Sequence, residues 1–332
     1  GVRPLCDHSA AESDVSTTCF DKGSTTMADR SSPTYPPGHD DRWSGPLLRD
    51  RVAVVTGGAG AVGSATCALF ADQGADLVVA DIDADRTAAV VADAEQRGRR
   101  AIGVVTDLMA DGTVEEMAAT ALETFGHVDV LVNGLGHALE PAAAFEAGSP
   151  EKWDRLYRVN FFHVLRASLA FLPGMRERGW GRIVNFSSVE GIRAAPGLAV
   201  YSAFKAAVDA FTKSLAVDVG GDGVTVNSVA VDKTLANQTG YGRFPEEFDR
   251  HIPVWVPAGR YGEGSDIAAV VLFLASDLGA FILGQTIVAD GGCLAAGGWY
   301  KTPNRWVNSP LLVQYFEDDP QAAAAARPAT LR

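Results

Sequence analysis

The chain has 332 residues, 47% hydrophobic and 21% charged, enough to build one large core without division into smaller domains. A formal net charge of −13 at pH 7 repels phosphate backbones, so no nucleic-acid partner is expected. No apolar run reaches the ~18 residues of a membrane span, and Cys6, Cys19, Cys67 and Cys293 form no CxxC pair, which fits free thiols in a reducing cytoplasm.

Residues 1–49 are rich in Ser, Thr, Asp, Pro and Gly and lack a sustained apolar period. They also lack the apolar run of a secretory signal and are expected to form a disordered extension. From residue 51 the pattern changes. Apolar runs at 52–56, 76–81, 101–107, 128–133, 182–188, 224–231 and 285–290 read as strands. Helical patterns lie between them at 61–73, 84–97, 111–125, 151–178, 200–219 and 265–275. Near-continuous apolar strands alternating with helices predict an α/β fold: a doubly wound, Rossmann-type parallel sheet of about seven strands in a single domain over 50–293. The tail 294–332 carries Trp299, Tyr300, Trp306, Tyr315 and Phe316, and is expected to pack on a partner subunit.

The first strand runs into TGGAGAVG (56–63), which opens a helix. Gly57, Gly60, Val62 and Gly63 would let backbone and a helix N-terminus approach a pyrophosphate. A glycine turn alone is weak evidence, but its place after the first strand strengthens it. Asp81 ends the second strand, eighteen residues beyond Gly63. A carboxylate there accepts from the ribose hydroxyls and repels a 2′-phosphate, so NAD is expected rather than NADP. Asp83 is the better candidate for capping the next helix.

Tyr201 and Lys205 stand four apart on one helix face. A phenol titrates near pH ~10, and a neighbouring ammonium would favour its phenolate. YxxxK alone is common by chance. Here, however, Ser188 ends the preceding strand, thirteen residues earlier.

With the pieces in order, the chain resembles the short-chain dehydrogenase/reductase family over about 48–292. The matching pieces are TGGAGAVG, Asp81, Asp107-Leu108, NGLG (133–136), Asn160 in RVNFF, Ser188 in IVNFSS, Tyr201/Lys205, Asn227 in VNSVA and GQTIVADGG (284–292). The resemblance implies an NAD-dependent oxidoreductase acting between a small-molecule secondary alcohol and a ketone, working as a homotetramer or homodimer. It implies that Tyr201 exchanges the proton, Ser188 orients the substrate oxygen, Lys205 lowers the tyrosine pKa and binds the ribose, and Asn160 completes a proton relay. It also implies that Asp107 and Leu108 contact the adenine, that Asn133 and Gly134 border the cofactor, and that Thr234 reaches the carboxamide.

Three departures stand out. Ala61 replaces the second motif glycine, NGLG replaces Asn-Asn-Ala-Gly, and Val231-Asp232 replaces Pro-Gly after the sixth strand. Asp232 is read either as facing the substrate or as capping the next helix. His137, Glu190 and Arg193, with Tyr241 and Trp255 in a lid-like segment 234–259, are candidate substrate contacts. His251 is not needed as a base, and no His/Cys/Asp cluster has metal-ligand spacing. Sugar or polyol, cyclic or hydroxysteroid-like alcohol, and 3-oxoacyl thioester substrates remain open, the last disfavoured by the acidic surface. A non-catalytic NAD-binding scaffold on the same fold is the alternative, resting on Ala61 and Val231-Asp232.

Overall fold

A computed structural model describes residues 45–193, 195–236, 251–298, 300–302 and 306–307. The N-terminal extension up to residue 44, Tyr241 with the rest of 237–250, and the tail from 308 onward lie outside the described residues.

The described chain alternates strands and helices. They are β1 (Val52–Thr56), α1 (Ala61–Asp72), β2 (Asp76–Asp81), α2 (Ala84–Gln96), β3 (Ala101–Val105), α3 (Thr113–Phe125), β4 (Val130–Asn133), α4 (Pro150–Tyr157), α5 (His163–Glu177), β5 (Gly181–Ser188), α6 (Ala199–Val219), β6 (Val224–Val231), α7 (Ile252–Trp255), α8 (Gly264–Ala275), β7 (Thr286–Ala289), α9 (Cys293–Ala296), β8 (Tyr300–Lys301) and β9 (Trp306–Val307). The first seven strands form one sheet, ordered β3-β2-β1-β4-β5-β6-β7, with every pairing parallel. β8 and β9 make a separate antiparallel pair within the expected tail.

Alternation along the strands assigns the two faces. Ala53 and Val55 of β1 join Phe70 of α1 and Ile267, Val271 and Leu274 of α8 on one side. Val52 and Val54 join Met117 of α3, Phe171 and Met175 of α5 and Val219 of α6 on the other. Because β1 lies between β2 and β4, the chain reverses direction across the sheet there, opening a crevice at the carboxyl ends of β1 and β4.

Local signals set the boundaries. The Asp83 side chain accepts from the Arg86 N–H and caps α2, as the sequence suggests. Ser149 caps α4 ahead of Pro150. Two sequence boundaries change. The packed fold begins before residue 50: Leu48 is fully buried and its N–H donates to the Gln73 carbonyl. The single helix expected over 151–178 is α4, a π-helical turn at Arg158–Phe162 and α5, with Pro173 inside the last.

Candidate active site

The turn after β1 fits a dinucleotide through close backbone packing. Gly57 has φ +66°, and a Cβ on Gly63 would lie 2.1 Å from the Gly57 carbonyl oxygen. Gly60 precedes α1 in extended conformation, so Ala61 is the first helical residue and its methyl carries no backbone strain. Asp81 at the end of β2 accepts from the N–H groups of Ala59 (3.0 Å) and Asp83 (3.1 Å), tying the strand end to the glycine turn.

These groups border a cleft of about 660 Å³, which also takes in Val62, Gly134, His137, Ser188, Glu190, Tyr201, Lys205, Asp232 and Thr234. A nicotinamide dinucleotide fits this arrangement: a glycine cradle that side chains would fill, a helix N-terminus and a strand-end carboxylate. Asp107 lies to one side, its carboxylate accepting from the Met109 N–H, and Leu108 is buried in the core. Asn133 is buried behind the cleft and donates to Asn185 across β4 and β5 at 2.8 Å. Trp255 ends α7, away from the cleft lining.

At the opposite end the sheet and α6 bring Ser188, Tyr201 and Lys205 together. Ser188 is the last residue of β5; its hydroxyl donates to the Val231 carbonyl at 3.5 Å and accepts from the Glu190 N–H at 3.2 Å, and it lines the same cleft as the Tyr201 phenol. Lys205 is 3% exposed, donates to the Phe186 carbonyl at 3.0 Å and sits 5.9 Å from the Tyr201 ring centre. Burial pushes its pKa down to about 8, opposed by the charge of Asp209 one turn later. The phenol departs from the sequence expectation. Burial, and then the charges of Glu190 and Asp232, raise the Tyr201 pKa above its ordinary value, against the lowering effect of Ser188.

Asn160 sits in the π-helical turn, a geometry frequent at functional sites. Its amide clamps the backbone of His137, accepting from the N–H (3.1 Å) and donating to the carbonyl (2.9 Å), and also donates to Leu156. A Cβ on Gly136 would meet Lys205 Nζ at 2.5 Å and Asn160 Oδ1 at 3.3 Å, so glycine is what lets these two side chains flank the same backbone. His137 accepts from the Leu139 N–H through Nδ1, and its partial burial lowers its pKa.

Three features escaped the sequence. Arg86 borders the cleft near Asp81, although it follows that residue by five positions and pairs with Asp83. The buried Asp209 accepts from the hydroxyls of Ser187, Ser228 and Thr286, tying together β5, β6 and β7. Asp232 neither caps a helix nor stands alone: Arg193 joins it to Glu190, and Lys233 follows at φ +46°. Their sequence spacing carries no motif.

Comparison with known proteins agrees with this layout. The family model described as enoyl-(acyl carrier protein) reductase matches residues 57–293. The dehydrogenase subunit for (2S)-[(R)-hydroxy(phenyl)methyl]succinyl-CoA from Thauera aromatica is 36% identical over 245 residues, covering 74% of this chain and 97% of its own. Among solved structures, levodione reductase superposes with a TM-score of 0.70 at 30% identity, over 75% of this chain and 99% of its own. A 7α-hydroxysteroid dehydrogenase complexed with NADH gives 0.69 at 28% identity, over 74% and 94%.

Proposed function

Because the chain belongs to the short-chain dehydrogenase/reductase family, oxidoreductases that act on CH–OH groups with a nicotinamide cofactor, we propose that it uses NAD to interconvert a secondary alcohol and a ketone. The observation that carries this reading is the convergence of Ser188, Tyr201 and Lys205 on one cleft, with Lys205 buried beside the tyrosine ring.

The cofactor supplies the hydride acceptor or donor. Tyr201 takes the proton from the alcohol oxygen in oxidation and returns it in reduction. The Ser188 hydroxyl holds that oxygen in line with the phenol. The Lys205 ammonium stabilises the phenolate when the proton leaves. Asn160 keeps the His137 backbone and the floor under Lys205 in place. Gly57, Gly60, Val62, Gly63 and Gly134 line the cleft where the dinucleotide would lie, and Asp81 would accept from its adenosine ribose, which supports NAD over the 2′-phosphorylated form. Homo-oligomerisation is supported by Leu169 and Val217, exposed on α5 and α6. Cytoplasmic work is supported by the unpaired Cys67 and Cys293. No helix among the described residues is long and apolar enough to cross a membrane.

The test is nicotinamide absorbance with NAD⁺ and NADP⁺ over a panel of secondary alcohols, for the native protein and Tyr201→Phe. Turnover with NAD⁺ that disappears in the variant supports the assignment. Undiminished turnover in Tyr201→Phe rejects the tyrosine, and faster turnover with NADP⁺ rejects the role of Asp81.

A further inference from the structure

A second cavity, of about 190 Å³, adjoins the cofactor cleft. The two share Ala138, Leu198 and Tyr201, so the smaller one opens directly on the tyrosine. Its wall is mostly apolar, with charged side chains at the rim. Phe145 and Trp153 stack at 5.3 Å with 13° between their planes, and Leu139 and Leu156 complete it. The two loops that frame it are joined by the Ala143 N–H donating to the Gly197 carbonyl at 3.1 Å. At the rim Lys152 is already engaged, with Glu140 at 2.9 Å and the Ala147 carbonyl at 3.4 Å, and Arg155 is solvent-exposed.

Size and lining select the occupant. An enclosed apolar cavity of roughly 150 Å³ takes up benzene, so this pocket, open to solvent on the side where Phe145 is 60% exposed, has room for a single six-membered ring. A polyol would need inward donors and acceptors, whereas this wall presents aromatic faces and aliphatic branches. We propose that the substrate carries an apolar six-membered ring, aromatic or alicyclic, beside its carbinol carbon, and that this ring seats against Trp153 while the carbinol oxygen meets Tyr201 and Ser188. This rests on the alcohol–ketone reading above, and it excludes sugars and polyols as preferred substrates.

The test compares 1-phenylethanol with 2-butanol, using NAD⁺ and the full chain. Each buried methylene is worth about fourfold in binding, so kcat/KM is expected to favour the ring by about 100-fold. Ala144 lines the cavity with φ −59° and ψ 144°, a conformation any residue adopts. Ala144→Phe fills the space and is expected to cut kcat/KM for 1-phenylethanol about tenfold, leaving 2-butanol within about twofold. Where both alcohols turn over, equal effects of Ala144→Phe on the two, or none on either, overturn the proposal. Acetophenone binding by saturation-transfer NMR reads the cavity without turnover. Binding that Ala144→Phe abolishes, in a protein that oxidises neither alcohol, upholds the ring site and rejects the redox reading. No acetophenone binding to the native protein overturns the ring site whatever the activity.

Discussion

Arg193 lies between two carboxylates, donating to Asp232 at 2.7 Å and to Glu190 at 2.9 Å, and so joins the turn after β6 to the loop after β5 beside Tyr201. Both carboxylates push the tyrosine pKa up, adding to the effect of burial. Alcohol oxidation needs the phenolate, so its rate rises with pH through the Tyr201 titration. Asp232→Asn removes one raising charge and leaves Arg193 less neutralised. Both changes favour the phenolate, so the rising limb of kcat/KM against pH should move down by roughly half to one unit. Arg193→Ala should move it up. An unmoved midpoint in both variants would reduce the cluster to a structural tie.

Tyr201→Phe keeps the ring and removes the proton. Loss of a general acid–base group typically lowers rate by about 10²–10⁴-fold. NADH affinity, measured by fluorescence titration, should change by less than about threefold. A large loss of affinity would point instead to collapse of the cleft around Lys205, whose ammonium sits 5.9 Å from that ring.

Much of this arrangement is written in local pattern. The apolar strands give the sheet, because both of its faces are covered and each strand must be apolar throughout. Ser188, Tyr201 and Lys205 were legible because one strand end and one helical turn bring them together. Contacts between distant segments were not. Arg193 meets Asp232 across 39 positions, and Phe145 meets Trp153 only after the chain turns into α4. The break in the helix at Asn160 also lacks a signature, since RVNFF contains neither Pro nor Gly. The boundary at residue 50 fell short because the Leu47-Leu48 pair is too brief to carry a period, although Leu48 is core.

Asp81 and Arg86 border the same part of the cleft with opposite charge. Asp81→Asn keeps the acceptor toward Ala59 and removes the repulsion of a 2′-phosphate. Arg86, whose partner among the described residues is the half-exposed Asp83, can then pair with that phosphate. The ratio of kcat/KM for NADP⁺ over NAD⁺ should rise about 10–100-fold, and Arg86→Ala in the same background should take most of the gain away. A ratio unmoved by Asp81→Asn would place cofactor discrimination elsewhere.

Gly63 tests the cradle sterically. Its missing Cβ leaves room for the Gly57 carbonyl, which a methyl would approach to 2.1 Å. Gly63→Ala should shift the turn, cost about 1–3 kcal/mol of stability by overpacking, and weaken NADH binding more than tenfold. A variant with native Tm and native NADH affinity would mean that the turn relaxes freely.

His163, fully buried, replaces ordinary helix polarity with a titratable ring beside Lys205. Burial, and then the lysine charge, push its pKa down to about 3. A base whose folded pKa lies below its unfolded value binds fewer protons in the native state, so stability falls as the pH drops below about 6.5 and continues to fall toward 3. Each unit in that window costs about 1.4 kcal/mol. Carboxylates titrate over part of the same range, so the informative quantity is a difference between proteins. His163→Leu fills a similar volume and cannot be protonated. Urea unfolding at pH 7 and pH 5 should therefore show the native protein losing more stability than the variant, by about 2 kcal/mol. An equal loss in both would mean that the ring reaches solvent and that its neutrality is not imposed by the core.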